Sequence, residues 1–205
     1  HMPDYIEKKM GLWKTKPDDK ALKPLFSTGA ELHILIMNVE AFSTKKGMDF
    51  AEKFLSSHKA LMGIDESTTI KNPAAKRTKN IVSLRPLTKY RRILTGSPVT
   101  KSPLDLFSQC YFLDPFLLDQ SSYYVFRTRY AVCRKINVSG RSVEIVVGYR
   151  NLGELSEKLK EFSYRVLKDD CLDLPKKTFV KRTVELTDEQ KKLYKQMKQE
   201  AIAFL

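Results

Sequence analysis

The sequence predicts an α/β fold: a mostly parallel sheet with helices on both faces, plus an inserted helix and β-hairpin. Two observations carry this. In the first half, three short and nearly all-apolar runs alternate with helical patterns, as parallel strands buried on both faces do. In the second half the pattern changes to a helix, an alternating hairpin and two further helices.

Residues 1–30 are mixed. The piece GLWKT (Gly11 to Thr15) lacks the G-x-x-x-x-G-K-[ST] pattern whose glycine amides wrap a phosphate, because Trp13 stands where a glycine must precede the lysine. It reads as a surface or edge segment. LHILIMN (32–38) is the first buried strand. A helix follows from Met48 to Ser57. LMGI (61–64) is the second strand, and Pro73 lies near the start of the next helix. RRILTG (91–96) is the third strand. From about Pro103 a helix carries Leu104, Phe107, Cys110 and Tyr111 on one face.

Beyond this, YYVFRTRYAV (123–132) reads as a helix. CRKINVSGRSVEIVVGY (133–149) reads as a hairpin about Ser139-Gly140. NLGELSEKLKEFSYRVLK (151–168) is a helix with Asn151 as its N-cap. LPKKTFVKRTVELT (174–187) returns to a strand. The last helix begins at Thr187, with Gln190 three residues on as in a capping box. It runs into the C-terminus without a stop signal, so the sequence predicts a chain that continues.

Composition narrows the function. The chain has 205 residues, 42% hydrophobic and 30% charged, enough for a core that needs no staples. No apolar run approaches the ~18 residues that span a membrane, and the polar N-terminus carries no signal-peptide pattern. Cys110, Cys133 and Cys171 are far apart and odd in number, which predicts buried thiols in a reducing, intracellular compartment. With only three histidines, a zinc site is not expected.

The net charge of +13 favours a polyanionic partner. Between Glu66 and Asp105 there are nine basic residues and no acid, and a second basic interval runs from Arg127 to Arg150. A solvated basic face gives the same count. Two such clusters flanking a pair of acids favour phosphate binding.

Those acids are Asp65 and Glu66, placed directly after LMGI. Ligands of parallel α/β sheets bind beyond the carboxyl ends of the strands. An Asp there can hold magnesium, largely through waters, when phosphates supply the other ligands. The adjacent Glu can orient and deprotonate an attacking water. LTGSP (94–98) lies at the end of the next strand, so that Thr95, Gly96 and Ser97 could face the same site.

Taken together, these segments resemble the superfamily-two helicases, and within them the Swi/Snf-type DNA-dependent ATPases. IDESTTIKNP is similar to the family's D-E-A-H followed by a basic residue, Lys and Asn. YRRILTGSPVTKSPLDLFSQCYFLDP resembles its L-T-G-T-P and the helix ending in F-L-x-P. LPKKTFVKRTVELTDEQKKLY is similar to its L-P-x-K … L-T-x-x-Q-x-x-x-Y segment. The match covers about residues 32–196. Gly148 to Asn151 (GYRN) resembles the branch holding annealing-helicase remodellers and their phage relatives.

The resemblance implies a RecA-like lobe that binds ATP against a second lobe, with double-stranded or branched DNA as partner and no membrane. Residues 1–117 would be a partial first lobe, 118–175 an insertion, and 176–205 the closing strand and helix. Asp65 would be the magnesium ligand and Glu66 the catalytic glutamate, with ATP and Mg as cofactors. Thr95, Gly96 and Ser97 would couple nucleotide state to DNA. Lys71, Asn72, Lys76, Arg77 and Arg92 would line the DNA groove.

The departures from the family are a missing phosphate-loop lysine, a missing second lobe, and Thr68 where D-E-A-H proteins have His. They imply a motor fragment that does not hydrolyse ATP alone, and a link from acid motif to LTGSP through a hydroxyl or another route. The cytoplasm or nucleus is the expected location, or the host cytoplasm for a phage protein. A strand-separating DNA or RNA helicase fits the motifs less well, because of the insertion and the L-P-x-K tail. A non-catalytic nucleic-acid-binding module has no use for the acid pair. A metal nuclease needs more acidic ligands.

Overall fold

The computed structural model describes residues 8–14, 19–27, 32–120, 122–138, 141–167 and 178–203. The chain forms two compact units, residues 1–163 and 164–205.

The first unit is α/β, as the alternating pattern requires. Strand β1 (Lys8–Leu12) pairs in parallel with β2 (Leu32–Ile36), and β3 (Leu61–Ile64) pairs in parallel with β4 (Tyr90–Ile93). The single sheet expected from the sequence is instead two separate two-stranded pairs among the described residues. The strands are therefore only half covered. Ile36 is 47% exposed and Leu61 62%, although both runs read as buried. A short apolar run fixes a strand, but its burial depends on what the rest of the fold lays over it.

GLWKT begins on an edge strand, as one of the two readings has it, with Leu12 and Lys14 exposed and Thr15 outside the described residues, but it is not wholly a surface segment. Gly11 and Leu12 end β1, and Trp13 is buried against Phe50 at 4.9 Å between ring centroids. After the short helix α1 (Asp19–Leu22), a 3-10 turn at Lys23–Phe26 adds Leu25 to the same core. A side chain at Gly11 would meet Leu25 Cδ1 at 2.6 Å.

Helix α2 (Lys45–Ser57) starts three residues before Met48, because Thr44 is its N-cap. The Thr44 hydroxyl accepts from Gly47 N at 3.1 Å. Gly47 is required, since a Cβ there would lie 2.2 Å from Ala41 O. Phe54 and Leu55 of α2 pack with Ile64, Ile81 and Leu84. The last two flank the end of helix α3 (Lys76–Ser83).

Helix α4 (Leu106–Leu113) joins two cores. Phe112 belongs to the cluster just described, while Leu106, Phe107 and Cys110 pack with Phe126, Tyr130 and Leu155. The single apolar face predicted for this helix is thus incomplete, because Ser108, Gln109 and Phe112 are buried as well. A helix buried nearly all round serves neighbours on both sides.

Helix α5 (Tyr123–Tyr130) leads into β5 (Ala131–Val138). That strand pairs antiparallel with β6 (Arg141–Tyr149), Val138 opposite Arg141, as the hairpin pattern predicts. Ser139 and Gly140 themselves lie outside the described residues. Helix α6 (Leu152–Lys160) follows. Asn151 occupies its N-cap position but does not cap. Its backbone is left-handed at φ 55°, and its side chain donates to Arg129 O at 2.9 Å. Cys110 is a free, buried thiol that burial pushes up to about 12, so it is unreactive. Cys133 is free and half-buried, and Cys171 lies outside the described residues.

In the second unit the predicted strand is absent. Residues 178–187 take no regular structure, with Phe179 91% exposed and Val184 80%, and 174–177 lie outside the described residues. Alternating apolar residues need a paired neighbour before they become a strand. Helix α7 (Asp188–Ala203) forms as expected, with its capping box intact. Thr187 N donates to Gln190 Oε1 at 3.1 Å, and Gln190 N donates to Thr187 Oγ1 at 3.3 Å. Among the described residues no helix is long and apolar enough to cross a membrane.

Candidate functional site

The site is built where β3 and β4 end. Ile64 closes β3 and is buried. Its carbonyl accepts from Leu94 N at 2.9 Å, and Leu94 O accepts from Ser67 N at 3.0 Å. The pairing therefore continues past both strands and stitches the acid motif to the start of the LTGSP loop.

Asp65 and Glu66 sit in that stitch, and both are exposed. Asp65 Oδ1 accepts from Glu66 N at 2.9 Å, while its second oxygen has no partner among the described residues. Glu66 lies in the left-handed region at φ 47°, ψ 56°. A non-glycine residue there is held at a cost of about 1–3 kcal/mol, so its surroundings must over-determine it. Glu66 stands at the N-cap of a 3-10 turn, Ser67–Ile70, yet its side chain makes no capping bond. The carboxylate is left uncommitted.

The turn is anchored from inside. Ser67 is fully buried, and its hydroxyl donates to Gln109 Oε1 at 2.7 Å. Gln109, 1% exposed, donates from Nε2 to Pro98 O and to Asp105 O, each at 2.8 Å. The hydroxyl route between the two motifs thus runs through Ser67. Thr68, which stands in the position of the family's His, makes no side-chain hydrogen bond among the described residues.

In the loop itself, Thr95 Oγ1 accepts from Ser97 N at 3.2 Å, and Ser97 Oγ donates to Val99 O at 3.1 Å. A Cβ added at Gly96 would meet nothing within 4 Å. The Asp105 carboxylate gathers the far end of the loop. It accepts from Thr100 N at 3.1 Å, Thr100 Oγ1 at 2.9 Å and Lys101 N at 2.9 Å. Burial pushes this carboxyl up, but those hydrogen bonds and the Lys71 charge outweigh it and hold it below the ordinary range.

The five residues expected to line a DNA groove fall into two groups. Lys71 bonds Thr100 Oγ1 and pairs with Asp105 at 3.6 Å. Arg77 pairs with Glu40 at 3.1 Å and donates to Thr69 O at 3.0 Å. Asn72 Oδ1 accepts from Ala74 N at 2.9 Å, closing the turn before α3. These three are engaged within the fold. Lys76 and Arg92 are exposed and make no ion pair among the described residues.

Sequence reasoning missed Ser67, Gln109 and Asp105. Gln109 did leave a signal, as an amide inside the apolar stretch LFSQCYFL that has to find partners.

Among the described residues, no group of three or more His, Cys, Asp or Glu could hold a metal ion. The free oxygen of Asp65 still fits a magnesium ion that takes its other ligands from phosphate and water. The unbonded carboxylate of Glu66, one residue on, fits a water-activating base.

A family model described as the SNF2-related domain matches residues 11–205. The sequence is similar to the TATA-binding protein-associated factor MOT1 of Saccharomyces cerevisiae, 33% identical over 132 residues, which is 64% of this chain and 7% of that protein. It is 27% identical over 201 residues to the chromatin-remodeling ATPase INO80 of Cryptococcus neoformans, covering 94% of this chain and 11% of that protein. The human helicase-like transcription factor is 28% identical over 145 residues, 68% of this chain and 13% of that protein. The chain thus spans a small part of the curated relatives it matches. Among solved structures it is similar to the Sulfolobus solfataricus SWI2/SNF2 ATPase core in complex with dsDNA. The TM-score there is 0.42 and the identity 23%, over 62% of this chain and 23% of that one.

Proposed function

The chain belongs to the SNF2-related domain family, and from that membership we propose that it is part of the first lobe of an ATP-driven double-stranded DNA translocase. The observation that carries the reading is Glu66, held in a left-handed backbone at a strand end with its carboxylate uncommitted, beside Asp65.

In this reading Asp65 holds magnesium through its free oxygen. The ion supplies charge neutralisation to the nucleotide phosphates. Glu66 orients the attacking water and takes its proton. Ile64 O and Leu94 O keep both acids in register with Thr95, Gly96 and Ser97, so a shift in one motif is felt in the other. Of the five, Lys76 and Arg92 make no ion pair among the described residues and are free to meet a DNA backbone, with Asn72 on the same stretch. Lys71 and Arg77 shape the loop and turn on which that surface is mounted.

Residues 1–117 form the partial lobe, 118–175 the insertion and 176–205 the closing segment, working against a second lobe. The sequence holds no G-x-x-x-x-G-K-[ST] loop, so this chain by itself does not turn over ATP. A reducing, intracellular compartment suits Cys110 and Cys133, which are free thiols.

The test is DNA-stimulated ATP hydrolysis by this chain beside a version extended at both ends, each with Glu66→Gln as control. Activity only in the extended protein, abolished by Glu66→Gln, supports the reading. An extended protein that binds DNA but never hydrolyses ATP would make the acids a relic and the chain a binding module.

A further inference from the structure

We propose that Ser67 and Gln109 are positioning residues of the hydrolytic site, a buried two-residue link that fixes the Glu66 carboxylate relative to the 95–98 loop. The proposal rests on the reading of Asp65 and Glu66 given above, and it adds two residues to that site.

The geometry is closed at every atom. Ser67 and Gln109 are 42 positions apart, yet both are buried, at 0% and 1% exposure. The Ser67 hydroxyl donates to Gln109 Oε1, and both hydrogens of the Gln109 amide go to carbonyls, Pro98 O and Asp105 O. Two carbonyl partners fix which end of the amide is nitrogen, so this side chain has one orientation. It touches the residue after Glu66 on one side and the residue after Ser97 on the other.

The backbone at Glu66 needs such a clamp. It is pinned by Asp65 Oδ1 on its N–H and by Thr69 N donating to its carbonyl at 2.9 Å. Ser67 N on Leu94 O adds a third restraint. Ser67 Oγ supplies a fourth, and it alone reaches beyond the strand ends to α4 and Pro98. A left-handed glutamate persists only while its neighbours over-determine it. Once the link is cut, the carboxylate can leave the attacking water, and misplacing a catalytic group by about 1 Å can cost on the order of 100-fold in rate.

A fold-only role for the pair predicts something different. Removing one partner strands the polar atom of the other, and replacing both relieves that mutual cost while Pro98 O and Asp105 O still lose the amide donor. The experiment uses the extended, hydrolysing protein with Ser67→Ala, Gln109→Leu and the double substitution. It reads kcat and KM for ATP with and without DNA, and the thermal midpoint. We expect each single variant to lower kcat by about tenfold or more, with KM within about twofold. The double variant should be no less stable than Gln109→Leu alone, because Ser67 Oγ is then no longer stranded, and should recover none of the lost kcat. Recovery of kcat together with the midpoint would overturn the proposal, as would single variants that keep full kcat. Glu66→Gln, run alongside, separates the claims. If it abolishes hydrolysis while the double variant is fully active, the link alone fails. If it retains full hydrolysis, the reading of the acid pair fails and takes this proposal with it.

Discussion

Two 3-10 turns of this molecule follow strands in the same way and contrast at the N-cap residue. After β2 the chain passes through Met37 and Asn38 into a 3-10 turn, Val39–Ser43. After β3 it passes through Asp65 and Glu66 into a 3-10 turn, Ser67–Ile70. Each turn sends an apolar side chain, Phe42 or Ile70, into the same core. At the N-cap, however, Asn38 is extended and its side chain accepts from Glu40 N at 3.1 Å. Glu66 is left-handed and its side chain caps nothing. One residue is chosen for folding. The other is kept against local preference, which supports the proposal that it serves the site.

The largest expected effect falls on chemistry. In the extended protein, Glu66→Gln should lower ATP hydrolysis by about 100- to 10,000-fold. The thermal midpoint should stay put, because no intramolecular bond is lost. The two core anchors should behave alike. Phe42→Ala should cost about 3–5 kcal/mol and Ile70→Ala about 2–5 kcal/mol in denaturant unfolding. A marked difference between them would show that the two turns are not equally integrated.

Asn38→Ala should cost about 1 kcal/mol and leave hydrolysis intact, the reverse of the Glu66 result. Gly96→Ala should change stability by less than about 0.5 kcal/mol, because the space around it is open. A loss of hydrolysis in that variant would then report on contacts with nucleotide, DNA or the second lobe.

The smallest effect is on acid stability. The Asp105 carboxyl is held below its ordinary value in the fold. Its contribution is therefore present above the unfolded pKa of about 3.9 and fades as pH falls through the lower folded value. Replacing it by Asn should flatten the decline of the midpoint as pH falls below about 3.9.

Much of the local structure was legible because local rules decide it. LMGI is a strand with the expected bounds, and Thr187 with Gln190 forms the expected box. The errors are non-local. Whether apolar strands merge into one sheet depends on segments far along the chain, and here they form two pairs. GLWKT reads as a surface or edge segment once the phosphate-loop pattern fails, while the neighbours of Trp13 in space include Phe50. The alternation in 178–187 lacked the paired strand that would have made it regular.

The site divides the same way. The acid pair was visible from its place at a strand end. The left-handed backbone of Glu66 was not, since neither glycine nor asparagine marks it. Lys71 and Arg77 read as free cations because their partners, Asp105 and Glu40, lie 34 and 37 positions away. The link from Ser67 to Gln109 exists only once α4 is packed.

In the proposed site Glu66 is held for chemistry and not for folding, and the substitution that decides this is Glu66→Gly. A left-handed residue with a side chain is disfavoured by about 1–2 kcal/mol, and glycine removes that penalty while adding up to about 1 kcal/mol of chain entropy. In the extended protein the account predicts a thermal midpoint that is unchanged or higher, with DNA-stimulated ATP hydrolysis lost. A lower midpoint with hydrolysis preserved would contradict it.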